Sequence, residues 1–189
     1  MEKKIIYITA ALLVLIPLGM YVAAAVRTES SETGAQIVGA LETYEHPKLN
    51  FSVDHPKAWT IQSEAKGVYF LSPKLESLDV VQETISVLVE PLPDDVETQE
   101  QYTKKALDEI AELSNYTMME SKRVSFAGLR GHTITYQATI QNNLIQFRQA
   151  WVIYKGKSYL MTLASPPNTF ANFERVFGRV IKSLKIEGA

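Results

Sequence analysis

The sequence predicts an α+β domain: an antiparallel β-sheet sandwiched by helices, preceded by an N-terminal transmembrane or signal helix. Three observations carry this reading. Residues Ile5 to Val26 run without a single charge behind Lys3 and Lys4. Farther on, segments alternating at period two are joined by short turns, as in successive hairpins. Two other segments space their apolar residues by three and four, as amphipathic helices do.

Residues 1–4 are read as a cytoplasmic N-terminus and 5–26 as a transmembrane anchor or signal peptide. At about 1.5 Å per residue such a helix spans about 33 Å, enough to cross a hydrocarbon core of about 30 Å. The apolar region of a secretory signal usually has only about 7–15 residues, so length favours an anchor. Ala23-Ala24-Ala25 nevertheless satisfies the small-x-small cleavage pattern, and Pro17 and Gly19 shorten the smooth helix. Secretion after cleavage near Ala25 is therefore the alternative. Either way Lys3 and Lys4, opposed only by Arg27, direct the remainder out of the cytoplasm, to a cell surface, periplasm or thylakoid lumen. With no cysteine, the chain can carry neither a lipoprotein anchor nor disulfides, thiol catalysis or thiolate metal sites.

Residues 27–41, Ser-, Thr- and Glu-rich at first, read as a flexible tether. The domain occupies 42–187, a common single-domain size. Phe51-Ser52-Val53 is a strand, His55-Pro56 a break and Trp59-Thr60-Ile61 a second strand; Val68 to Leu71 is a third. Thr84 to Glu90 alternates, with Ile85, Val87 and Val89 on one face, until Pro91 and Pro93 stop it. Thr98 followed by Gln101 fits a capping box, and the helix behind it aligns Tyr102, Ala106, Ile110 and Leu113.

Strands then resume. Met118 to Phe126 ends at an Ala127-Gly128 turn. His132 to Gln141 points Ile134, Tyr136, Ala138 and Ile140 inward and Thr133, Thr135, Gln137 and Thr139 outward. Asn142-Asn143 makes a hairpin, and Lys155-Gly156 joins Ile145–Tyr154 to Ser158–Ala164. These two strands are apolar on both faces, so the sheet is covered on both sides at its centre. After Pro166-Pro167, Asn168 or Thr169 caps a last helix with a stripe of Phe170, Phe173, Phe177, Val180 and Leu184.

This order of segments resembles a known family. Asn50 to Trp59, with its aromatic, short strand, proline and tryptophan, is similar to the opening motif of the PsbP-like family. Glu83 to Pro91 resembles its second block. Phe147 to Leu163, with the Tyr154–Tyr159 hairpin, and the final Lys182-Ser183-Leu184-Lys185-Ile186 complete the series. The resemblance implies an antiparallel sheet between helices. Plant and cyanobacterial members are extrinsic lumenal subunits of photosystem II that support calcium and chloride retention and assembly. Many other bacterial and archaeal members are exported or membrane-anchored. This chain lacks the cyanobacterial lipobox cysteine and the long N-terminal extension of the plant members. Where plant members have a Gly- and acid-rich hairpin followed by a lysine-histidine pair, it has Gln141 to Arg148.

Chemistry-bearing residues are sparse. His46, His55 and His132 form no close pair and no HExxH spacing, and His46 and His55 precede prolines as extended loop residues do. Asp94, Asp95, Glu97 and Glu100 could hold calcium, but the macrodipole at a helix start accounts for the same residues. Gly128-Leu129-Arg130-Gly131 reads as a turn, not a phosphate loop. Asn115-Tyr116-Thr117 fits a glycosylation sequon. No GxSxG or SxxK occurs, so the sequence assigns no catalytic residue, cofactor-binding residue or metal ligand, and no cofactor. The net charge of −2 with both signs mixed disfavours nucleic acid. Trp59, Tyr69, Phe70, Tyr136, Phe147, Trp151, Tyr154 and Tyr159 sit at strand spacing, mostly as core, with a few able to line a groove between sheet and helix.

The functional expectation is a non-catalytic, membrane-tethered extracytoplasmic interaction domain. Its partners are the membrane, through residues 5–26, and a membrane protein complex that it serves as accessory or assembly factor. In a phototrophic host the resemblance makes that complex photosystem II. The alternative is an extracytoplasmic module binding a lipid or other small apolar ligand. An exported hydrolase is the third class, with no titratable pair to nominate.

Overall fold

The computed structural model describes residues 39–73 and 81–189. The expected anchor, 5–26, lies outside them; among the described residues no helix is long and apolar enough to cross a membrane. Ten strands and two helices follow in order: β1 (Leu41–Glu45), β2 (Phe51–Pro56), β3 (Thr60–Glu64), β4 (Gly67–Leu71), β5 (Thr84–Pro91), α1 (Gln99–Ala111), β6 (Thr117–Phe126), β7 (Leu129–Ile140), β8 (Asn143–Tyr154), β9 (Lys157–Ser165), α2 (Phe170–Ser183) and β10 (Lys185–Ile186).

Seven strands form the central antiparallel sheet in the order β3-β4-β5-β9-β8-β7-β6. Four two-residue turns build its hairpins; Ala127-Gly128, Gln141-Asn142 and Lys155-Gly156 each have two left-handed residues as a type I′ turn requires, whereas Ala65-Lys66, between β3 and β4, has none. The Gln141-Asn142 turn lies one residue earlier than the sequence predicts. Asn143 already pairs with Ile140, so Gln141 takes the first left-handed position.

On one face, Phe170, Phe173, Val176, Phe177 and Val180 of α2 pack on Ile85, Val87, Val89, Met161 and Leu163. The same core takes in Phe51 and Val53 of β2 and Ile186 of β10, because β1, β2 and β10 form a small second sheet against it. That sheet is absent from the sequence expectation. β1 shows no buried stripe, and β10 is two residues long. β2 runs through the expected His55-Pro56 break, with Pro56 paired to Leu41. Thr169 occupies the α2 cap position, but its hydroxyl donates to the Pro166 carbonyl instead of capping the helix.

On the other face, Ala106 and Ile110 of α1 cover Ile134, Tyr136, Ala138, Ile145, Phe147, Trp151 and Leu160. Both faces are therefore covered at the centre, as the doubly apolar strands require. Thr133 and Thr135 are consequently buried rather than solvated, and the Thr133 hydroxyl donates to the Gln149 carbonyl. The exception is β6, at the end of the sheet, whose first seven residues are all exposed.

Candidate functional site

α1 covers the middle of its sheet face and leaves a step beside β6 and β7. The start of the helix is fixed from both ends of the local sequence. The Thr98 hydroxyl accepts from the Gln101 N–H, and the Gln101 side chain accepts from the N–H groups of Glu97 and Thr98, the reciprocal capping box expected from the spacing. Helix and sheet are then stitched through two side chains. Just past the end of the β7–β8 ladder the Ile153 N–H donates to Gln99 Oε1 at 3.1 Å. The Trp151 indole donates to the Thr103 hydroxyl at 3.1 Å.

The floor depends on one glycine. Gly131, predicted as part of a turn, lies within β7, opposite Val152. A Cβ there would sit 2.4 Å from the Trp151 carbonyl oxygen and 2.7 Å from Val152 Cγ1. No other residue lets β8 approach so closely.

The step is a groove of about 750 Å³, lined by Gln99, Thr103, Lys104 and Leu107 of α1 and by residues of β6 and β7. Register places its charges. Arg123 lies opposite His132 and Ser125 opposite Arg130, so the two arginines share a face as diagonal neighbours, with Cα atoms about 7–8 Å apart. Neither has an ion-pair partner among the described residues. Lys104 adds a third cation, paired along the helix with Asp108, and Glu100 is the one carboxylate of the lining. In a chain of net charge −2 this is a local positive field, beside which Leu107 of α1 is the apolar side chain on the same face. Unpaired guanidiniums present forks that fit carboxylates or phosphates bidentately.

His132 stacks on Trp151, with ring centroids 5.3 Å apart, and its Nε2 is 2.8 Å from the Ser121 hydroxyl. Burial, and then the Arg123 charge, lower its pKa, so the ring is neutral at pH 7. Sequence reading missed this serine-histidine contact, which spans a hairpin. No carboxylate accepts from the other ring nitrogen among the described residues, the contact that would orient an imidazole as a base.

The remaining candidates are scattered. His46 and His55 are buried, not loop-exposed as their prolines suggest. His46 Nδ1 accepts from the N–H groups of Lys48 and Leu49, so its Nε2–H donates to the Glu64 carbonyl. His55 stacks on Phe70 at 4.5 Å. Asp94, Asp95, Glu97 and Glu100 are exposed around the α1 start, and Lys105 binds both oxygens of Asp95, lowering its pKa. Among the described residues no three His, Asp or Glu side chains converge as metal ligands would. The groove is lined by no aromatic residue, contrary to expectation; Phe147, Trp151 and Tyr159 are buried in the two cores.

Comparison with known proteins bears on the fold. No curated protein matches the sequence. Among solved structures, the cyanobacterial PsbP (CyanoP) of Synechocystis aligns with a TM-score of 0.55 at 15% identity, covering 79% of this chain and 94% of that one. LpqN, involved in cell envelope biogenesis of Mycobacterium tuberculosis, gives 0.57 at 11%, covering 78% and 90%. The Ran-binding protein Mog1p of Saccharomyces cerevisiae gives 0.57 at 9%, covering 78% and 96%. At such identities the likeness carries the fold alone. The sequence itself matches the model of one family, PsbP-like protein, over residues 5–186. That match runs through all ten strands and both helices, and the chain therefore belongs to the PsbP-like protein family.

Proposed function

We propose that this chain is a non-catalytic, membrane-tethered extracytoplasmic interaction domain, an accessory or assembly factor of a membrane protein complex. It docks by seating an anionic surface of that complex in the groove between α1 and the β6–β7 hairpin. The observation carrying this reading is the pair of unpartnered arginines, Arg123 and Arg130, on one face of that groove. The uncharged run of residues 5–26 behind Lys3 and Lys4 supports a tether with the domain outside the cytoplasm. A protein-binding role is on record in the name of one protein of similar fold, the Ran-binding Mog1p. In a phototrophic host the complex is photosystem II.

The test is affinity purification of the full-length protein from gently solubilised native membranes, as wild type and as the Arg123→Glu/Arg130→Glu variant. A stoichiometric complex retained by the wild type and lost by an equally stable variant is the expected result. A wild-type protein that elutes alone overturns the docking reading; if it carries a bound lipid, the domain is a ligand-binding module instead.

A further inference from the structure

β6 closes the central sheet with an unpaired outer edge: ten residues long, with no described strand on its far side. Such an edge offers a row of backbone donors and acceptors, which natural sheets blunt with short strands, charged side chains, prolines, bulges or a covering element. Here Lys122 bonds Glu120 at 2.7 Å on one face, so these two charges neutralise each other within the strand and Arg123 is its one remaining charge. Two of the four exposed large hydrophobic residues among the described residues, Met118 and Met119, also lie on this strand. The opposite edge, β3, is only five residues long.

We propose that β6 pairs with β6 of a second copy of this chain, antiparallel about a two-fold axis at Ser121. Register singles out this arrangement. In an antiparallel pair, residues directly opposite share a face, so a two-fold axis must pass through a residue. Axes at Glu120, Lys122 or Arg123 set like charges against each other. The axis at Ser121 sets Glu120 against Lys122 of the other copy, twice, which is the favourable cross-strand arrangement. The β-bulge at Met119 keeps the alternation in step beyond this centre. Arg123 then meets Met118, both on the α1 face, and Val124 meets Thr117, both on the α2 face. An axis perpendicular to the sheet leaves both small sheets, which share the α2-side core, on one side. The two grooves face the other side together.

The experiment is sedimentation equilibrium of the full-length protein in detergent for wild type, Glu120→Lys, Lys122→Glu, the double swap, and an equimolar mixture of the two single variants. Both side chains are well exposed, so the variants fold, as thermal melts verify. The proposal expects a wild-type dimer that each single reversal weakens about tenfold or more, because two unlike pairs become two like ones. Dimerisation returns in the double swap and in the mixture, where every Lys again faces a Glu. A monomeric wild type, dimers indifferent to the single reversals, or a mixture that stays monomeric would each overturn it.

Discussion

The same chemical change, glycine to alanine, has opposite consequences at two positions of this domain. At Gly131 the new methyl lies 2.4 Å from the Trp151 carbonyl oxygen, 2.7 Å from Val152 Cγ1 and 3.0 Å from Phe126 Cε1. The oxygen belongs to a central strand and cannot rotate away, so β7 and β8 must separate by about an ångström at the groove floor. Overpacking of this kind costs about 1–3 kcal/mol. For a domain of this size that lowers Tm by about 2–12 °C. At Gly178, inside α2, a methyl meets nothing within 4 Å. Removing a helix-interior glycine there stabilises by about 0.5–1 kcal/mol. Urea unfolding, read by the fluorescence of Trp59 and Trp151, measures both. A Gly131→Ala variant within about 0.5 kcal/mol of wild type would refute the close approach and with it the shape of the groove floor.

Two further outcomes follow from the site. Thr98→Ala removes the acceptor for the Gln101 N–H and lowers stability by about 1 kcal/mol, whereas Thr98→Gly loses only a few tenths, and urea titration separates the two. His132 contributes a pH dependence of definite sign. Its folded pKa lies below the ordinary histidine value, so as pH falls through about 6.5 the unfolded chain takes up the proton first and stability is lost. The loss between about pH 8 and about pH 5 therefore shrinks in His132→Gln, and an unchanged loss would show that the ring titrates alike in both states.

Much of the domain was legible because its signals are local. The Thr98–Gln101 box lies within four residues, and the Phe170–Phe173–Phe177–Val180 stripe marks α2 at helical spacing. Hairpins joined by two-residue turns fix the strand order β6-β7-β8-β9 almost by themselves. The misses need contacts that sequence spacing does not display. Thr133 and Thr135 alternate like solvent-facing residues, yet their face of the sheet is buried. β1 and β10 exist only because β2 lies between them. The cationic groove was hidden for a third reason. Arg123 and Arg130 flank the Ala127-Gly128 turn, and only counting the register outward from Phe126 opposite Leu129 brings them onto one face. Extending that count from the recognised turn was the available signal.

The proposed docking site of this domain is the groove between α1 and β6–β7. The most direct measurement is site-specific photocrosslinking in intact membranes, with the reactive residue at Lys104, on the groove, and at Ile61, exposed on the opposite sheet edge. The account predicts one abundant adduct to a membrane protein from position 104, absent from position 61 and abolished by Arg123→Glu/Arg130→Glu. Equal labelling from both positions, or an adduct indifferent to the two arginines, would contradict it.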